Sequence, residues 1–544
     1  MSAKPVNYMP TYARYRNVVL ITLIAFLAIV LVGINVLNRD SGSKNLLSYK
    51  IPSDLASAKP ADEVKLENGD SYDLTAAFVK SKLTGHEQTM LAYNGSIPGP
   101  TFRVTQGDKV SVNFTNSINM ESTVHAHGLR QDVKMDGTPE LSQEVVQIGV
   151  SFKYEWSFPD PGIYWYHPHV REDYQQGAGL YGAIIVEPKS SDYWPKVDGE
   201  SELVLSDVLI DEETNELRPF KKDGADLVLM GRYGNMELLN GETNWNQKVP
   251  LNSVQRYFVV NTSNARPFRF AIDGTKMKVV GSDNGRVGIE TMEDAITLSP
   301  GERSVVDVLF ETPGEVSIMN DAPGVNSKLG SVTVSQNAID SIAKSEYLNL
   351  RTNQDVIDEI GILDQNVSDT KNLKLTMDMD MDSMMDGMDH SMGSGDHMMP
   401  DGTMMDGSGN TIDSDLSGIE WIDSEMNETA KDVKWKIQDT KTGNINEDIK
   451  WNFKRGDVVR INIDNDANSI HPMQHPIHIH GQRFAILKID GKSNSKIEWK
   501  DTITIPSGKK YEILAVMDNP GEWMLHCHIS EHLENGMSME FKVK

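Results

Sequence analysis

The chain has 544 residues, with 79 acidic against 52 basic side chains and a formal net charge of −27. That balance excludes the clustered cationic surface that nucleic-acid binding needs. A single cysteine excludes an intrachain disulfide framework and any cysteine-rich zinc or iron–sulfur site. At roughly 150 residues per domain the length allows about three or four domains.

Residues 18–37 (VVLITLIAFLAIVLVGINVL) carry no charge and match the length of about 20 residues that a helix needs to cross the hydrocarbon of a bilayer. Lys4, Arg14 and Arg16 precede this run with no acid. The positive-inside rule therefore leaves residues 1–17 in the cytoplasm and exports the chain from residue 38 onward. No A-x-A site directly follows the run, and the run is longer than a usual signal-peptide core, so the reading is a single-pass transmembrane anchor, with secretion after signal cleavage as the alternative. Arg14-Tyr15-Arg16 is not a twin-arginine pair, which favours export of an unfolded chain that takes up metal outside. Residues 38–60 read as a linker.

From residue 61 onward, short β-branched and aromatic runs alternate with Gly, Pro, Asn and Asp turns. Examples are KVSVNFTN (109–116), YGAIIVEP (181–188), RYFVVNTS (256–263), SVVDVLFE (304–311) and DVVRINID (457–464). This spacing predicts an all-β series of sandwiches or barrels rather than βαβ units. Three domains are expected, at 61–190, 191–345 and 346–544. The third contains an exceptional insert, residues 376–415, with 11 of the 27 Met, 10 Asp and no Lys or Arg. Met and Asp interspersed with Gly and Ser cannot build a core.

Ten of the 14 His fall into four clusters: His125-Ala-His127-Gly128, His167-Pro-His169, His475-Pro-Ile-His478-Ile-His480-Gly481 and His526-Cys527-His528, the last continuing to His532 and Met537. Side chains two apart share a face of a strand. His526 and His528 therefore point one way and Cys527 the other, so one strand serves two sites. On the Cys527 side, His532, Met537 and His475 can complete a set of two imidazoles, one thiolate and a weak axial thioether, the ligands of a blue-copper electron-transfer site. On the other side eight His remain, too many for one ion and suited to a copper cluster between the first and last domains. The thiolate site takes one electron at a time, whereas dioxygen needs four together, and the peptide bonds from Cys527 to both flanking His join the two sites.

These four motifs, with AYNGSIPGPTFRVTQGDKVSVNFTN (92–116), closely resemble the multicopper oxidases, the family of laccases, ascorbate oxidase and bacterial cuprous oxidases. The resemblance covers nearly everything from residue 61 and implies three cupredoxin-like Greek-key β-barrel domains holding four copper ions. It assigns type 1 copper to His475, Cys527, His532 and Met537, and type 2 copper to His125 and His478. The type 3 pair falls to His127, His167, His169, His480, His526 and His528. Met537 in the axial place is similar to the bacterial branch. Asp136, downstream of the first His pair, matches the family's proton-delivering acid. A second acid, directly after the last type 1 His in bacterial relatives, is Leu533 in this chain, flanked by Glu531 and Glu534. The resemblance also implies a monomer.

The insert bears on what is oxidised. Thioether sulfur selects Cu(I), and NLKLTMDMDMDSMM resembles the start of the Met-rich insert of copper-efflux cuprous oxidases. On that match Met377 and Asp382 bind the substrate Cu(I) with Met473, and His471 stands where that group has an acid. The expected activity is therefore oxidation of Cu(I) by O2 outside the membrane, for copper tolerance. The alternatives are a laccase-like oxidase of phenols, aryl amines, Mn(II) or Fe(II), and a non-enzymatic copper-binding protein. A copper nitrite reductase would have no use for His on both sides of the cysteine.

Overall fold

Strands are the main regular element among the described residues because β-branched residues alternate with polar ones. Lys109–Asn116 buries every second residue, as Val433–Asp439 does, since successive side chains leave opposite faces of a strand. Ser253–Asn261 and Arg303–Phe310 are buried along their whole length, as strands covered on both faces must be. The five runs picked out by sequence all form strands, at Lys109–Asn116, Gly182–Glu187, Ser253–Asn261, Arg303–Phe310 and Asp457–Asn465.

The computed structural model describes residues 51–83, 85–222, 224–379, 397–398, 404–405, 416–422 and 433–544. The expected transmembrane helix at 18–37 and the expected substrate ligand Asp382 lie outside them. Among the described residues no helix is long and apolar enough to cross a membrane.

The strands group into three successive double-sheet units, each mixing parallel with antiparallel pairs. The first sets a four-stranded sheet, which includes Lys109–Asn116, beside a five-stranded sheet ending in Gly162–His167 and His125–His127. The second pairs a six-stranded sheet with a five-stranded one, their facing sides sharing one apolar core that contains Leu203, Phe268, Val306 and Val332. The third repeats the six-and-five arrangement, and its five-stranded sheet holds both His475–Ile479 and Gly521–Cys527. This mostly-β architecture agrees with the cupredoxin-like expectation.

Two features place the second unit against the other two. Trp165 and Ile163 of the first unit share an apolar cluster with Val204, Phe258 and Val305 of the second. A second-unit loop inserts Ala225, Val228, Leu229 and Tyr233 into the core of the third. Residues 54–544 pack as one compact unit.

Helices are few among the described residues, yet two of the shortest carry site residues: Glu172–Gln175 and Ser530–Glu534. A longer helix, Gln354–Asp364, precedes the third unit. Its Val356 and Ile360, one turn apart, bury against Ala485, Trp499 and Val516.

Candidate metal centres

Strand pairing decides which histidines meet. His125 sits opposite His167 across the first unit's edge pair, and His127 opposite Trp165. In the third unit His478 sits opposite His526, and Ile477 opposite Cys527. Directly opposed residues share a face, so His478 and His526 look one way while Cys527 looks the other.

The two histidine strands face each other across the boundary between first and third units. His127 stacks on His478 with ring centroids 3.7 Å apart, and His125 on His480 at 4.2 Å. His167, His169, His526 and His528 close the remaining sides. All eight are buried. Potential ligand atoms group within 4.8 Å of one another as His125–His478–His480, His125–His127–His167 and His169–His480–His526. All eight imidazoles predicted for the cluster are thus brought together.

The rings are oriented by their second nitrogens. His125 Nδ1 lies 2.6 Å from the Asp136 carbonyl, His167 Nδ1 2.9 Å from that of Pro168, His478 Nδ1 2.9 Å from that of Asp501 and His526 Nδ1 2.8 Å from that of Cys527. His480 Nδ1 donates to the Asp136 carboxylate at 2.9 Å. A carbonyl can only accept, which fixes the proton on Nδ1 and leaves Nε2 as a bare lone pair. Buried Nε2 atoms of His125, His167, His169 and His478 have no hydrogen-bond partner. His480 and His526 present Nε2 to Nε2 at 3.0 Å. With both N–H groups spent elsewhere, two lone pairs face each other, which is unfavourable unless a cation lies between them.

Burial pushes His480 down to about 3 and His127, His167, His169, His526 and His528 well below the usual imidazole range. Neutral rings with fixed tautomers and inward lone pairs are what a transition-metal cluster needs. The donor set fits copper.

Asp501, which sequence reasoning missed, anchors this nest from the back. Its carboxylate lies 3.1 Å from His127 Nε2, and its backbone carbonyl holds His478. Both oxygens accept from Arg303 of the second unit at 2.6 Å, and Asn284 adds a third donor at 2.7 Å. Burial alone would raise the Asp501 carboxyl, but Arg303 and these hydrogen bonds hold it well below the carboxylate range. Gly128 explains the last letter of the HAHG motif. Its φ is +84°, and a Cβ there would fall 2.4 Å from the Asp501 carboxylate and 2.6 Å from Arg303.

Two acids flank the nest. Burial would raise the Asp136 carboxyl, but His125 and His480 pull it well below the usual range, so it is ionised and accepts from His480 and from Thr138 at 2.6 Å. Glu172 is the opposite case. Fully buried, it lies 3.3 Å from His169 Nε2 and 3.9 Å from His167 Nδ1. Burial, then Glu534, Asp173 and Glu531, raise its carboxyl well above the usual range. Glu534 accepts the Glu172 backbone N–H at 2.9 Å. The sequence signal for Glu172 was an acid three residues after the His-Pro-His motif.

On the other face, Cys527 Sγ lies 3.6 Å from His475 Nδ1 and 3.6 Å from His532 Nδ1. An ion about 2.0 Å from each nitrogen and about 2.3 Å from sulfur, in trigonal array, separates S and N by roughly this distance. Met537 is buried in the same cluster, and its carbonyl accepts the Cys527 N–H at 3.1 Å. Burial pushes the thiol up, so the charge of a metal is needed to release its proton. Trp435 stacks on His532 at 4.2 Å and meets His475 edge-on at 4.9 Å.

Of the expected substrate ligands, Met377 and Met473 are buried in the core that holds Cys527. Met377 sits opposite Trp435 across its strand pair and so shares its face. His471 is half-buried and reaches Met230 of the second unit, a residue the sequence did not single out.

Three cupredoxin-like units with a thiolate site back to back with an eight-imidazole nest define a copper oxidoreductase. Comparison with known proteins gives the family. Multicopper oxidase models match residues 76–191 and 422–544, the segments that hold all ten clustered histidines. A multicopper oxidase of Staphylococcus aureus is 26% identical over 514 residues, covering 92% of this chain and 94% of its own. Copper resistance protein A of Escherichia coli is 24% identical over 577 residues, covering 88% and 93%. Among solved structures, a metallo-oxidase from Campylobacter jejuni shares the fold with a TM-score of 0.64 at 22% identity, covering 91% of this chain and 99% of its own. The chain belongs to the multicopper oxidase family, and is an oxidoreductase that uses copper and O2.

Proposed function

We propose that this enzyme is a cuprous oxidase: 4 Cu(I) + O2 + 4 H⁺ gives 4 Cu(II) + 2 H2O. The observation that carries the substrate is the sealing of the type 1 edge. In the proposed assignment His475, Cys527, His532 and Met537 hold type 1 copper. The ring nitrogen of His532 that points away from Cys527 is buried and hydrogen-bonded to the Leu229 carbonyl at 3.3 Å. Trp435 covers the face of the same ring. A phenol has no imidazole edge to touch, whereas a metal ion needs only donor atoms nearby. The Met/Asp composition of residues 376–415 supplies such donors.

In the nest, His125 and His478 take type 2 copper, and His127, His167, His169, His480, His526 and His528 take the type 3 pair. Copper bound there supplies the electrons that dioxygen must receive together. The protein's own contribution is rigid lone pairs and protons. Asp136 is the acid poised to accept a proton, through its bond to His480, and Glu172 the acid that already holds one, beside His169. Residues 18–37 would tether the enzyme outside the membrane, with residues 1–17 cytoplasmic, which fractionation and protease protection can check.

The test compares steady-state oxidation of Cu(I) and of a phenol by the whole enzyme and by a variant lacking 376–415. Deletion is expected to lower kcat/KM for Cu(I) at least tenfold and to spare or raise phenol oxidation. Full Cu(I) turnover after the deletion would sink the substrate assignment and favour a laccase-like reading.

A further inference from the structure

The second unit contributes no histidine to either metal centre, yet one of its loops touches the thiolate site at three consecutive residues. The Val228 carbonyl accepts from Trp435 Nε1 at 2.7 Å. The Leu229 carbonyl accepts from His532 Nε2 at 3.3 Å. Met230 Sδ lies 3.0 Å from His471 Nε2. Leu227 (φ +58°) and Gly231 (φ +82°) are left-handed, and the Gly231 N–H closes the turn on the Leu227 carbonyl at 2.8 Å. The loop is therefore a shaped turn that aims these three groups in sequence.

Met230 is 2% exposed and donates no hydrogen bond. A thioether beside an imidazole is a soft donor pair that prefers Cu(I) to Cu(II). The simpler alternative is an N–H···S hydrogen bond that only steadies His471, which binding experiments can tell apart.

We propose that Met230 and His471 form a Cu(I) docking pair at the seam between the second and third units, wired to the type 1 site through the Leu229 carbonyl. The inference deepens the cuprous-oxidase reading and rests on it. Cu(I) held by the pair gives up one electron and becomes Cu(II). That electron reduces the type 1 site by one, and O2, the enzyme's own oxidant, takes it up in the end. No covalent bond forms or breaks at the pair and no proton moves. The electron's route is the short covalent run from Met230 to the Leu229 carbonyl and the hydrogen bond to His532. Loss of the electron weakens the sulfur–metal bond, since thioether favours the reduced ion, and this releases the product.

The experiment uses the full-length copper-loaded enzyme with Met230→Leu, His471→Gln and the double variant. Leu keeps the volume of Met and removes the donor sulfur. The measurements are KM for Cu(I) and inhibition by Ag(I), a redox-inert soft ion of the same charge. Each single variant is expected to raise KM and the Ag(I) inhibition constant about tenfold, and the double variant to be no worse than the worse single one, because both residues hold one ion. Two independent tenfold losses that multiply in the double variant overturn the pair, as does an effect confined to one residue. Should Met230→Leu lose the blue absorption of an assembled type 1 site, Met230→Gln replaces it in the same cycle. If the unaltered enzyme fails to oxidise Cu(I), the cuprous-oxidase reading itself falls. If it oxidises Cu(I) while the variants stay within twofold, only the docking pair falls.

Discussion

The two metal centres lie back to back on one strand and are built on opposite principles. The eight-imidazole nest is assembled between units and is held by polar groups: ring nitrogens meet carbonyls of Asp136, Pro168, Asp501 and Cys527 and the carboxylates of Asp136 and Asp501. The thiolate pocket draws its ligands from the third unit alone and shares an apolar core with Trp435, Met473 and Ile477, which a second-unit loop helps to close. The difference follows from what each must do. Cluster chemistry with dioxygen consumes protons, so acids and fixed dipoles stand around it. A one-electron relay changes charge at every turnover, and a tight apolar shell leaves few dipoles to reorganise when it does.

The sharpest way to break this comparison is to remove the atom between the two centres. Cys527→Ser should abolish turnover and blue absorption altogether, yet leave the eight imidazoles and their partners untouched. Copper analysis should fall from about four ions per chain to about three, with the electron paramagnetic resonance signal of the nest retained. Loss of the nest copper as well would mean that the two sites do not assemble independently.

A second prediction asks whether the nest depends on the unit that lends it no ligand. Arg303 pairs with both oxygens of Asp501 and lies near Asp283, in full burial. Arg303→Met would strand a buried carboxylate, a loss of about 3–5 kcal/mol in stability. The same change frees the Asp501 grip on His127 and His478. Nest copper should therefore be lost in preference to type 1 copper, leaving blue absorption in a protein with reduced copper content. A uniform loss of all copper would instead mark Arg303 as a general folding residue.

This dependence on Arg303 also shows where the sequence stopped being legible. Cys527 between two His declares both faces of its strand by alternation alone, and the pairing of His478 with His526 and of Ile477 with Cys527 follows that period. Asp501 and Arg303 carry no such signal. They are 198 residues apart and meet only because the second unit packs between its neighbours. Met230 was invisible for the same reason, being 241 residues from His471. Glu172 and Glu531 sit on short helices inside an all-β pattern, where strand periodicity gives no guide to their direction. The helix Gln354–Asp364 was missed because only two of its five apolar residues, Val356 and Ile360, form its buried face, too short a stripe to stand out from a β pattern.

The smallest expected effect concerns that buried acidic corner and separates it from the apolar pocket one residue away. Glu531 is fully buried, accepts from Asn264 at 3.0 Å, and is pushed up from an ordinary 4.5 to about 8 by burial. Its folded form therefore keeps a proton that the unfolded chain releases above 4.5. Stability from this group is fully present below pH 4.5 and is lost as pH rises through 8. Glu531→Gln keeps the shape and the contact with Asn264 but has no proton to lose. Thermal melts at a series of pH values should show the unaltered protein's melting temperature falling more steeply between pH 5 and 8 than that of the variant. Parallel profiles would mean that Glu531 is already charged in the folded enzyme. Water or a counterion would then have to reach a corner in which Glu531, Asp173 and Asn264 are all buried.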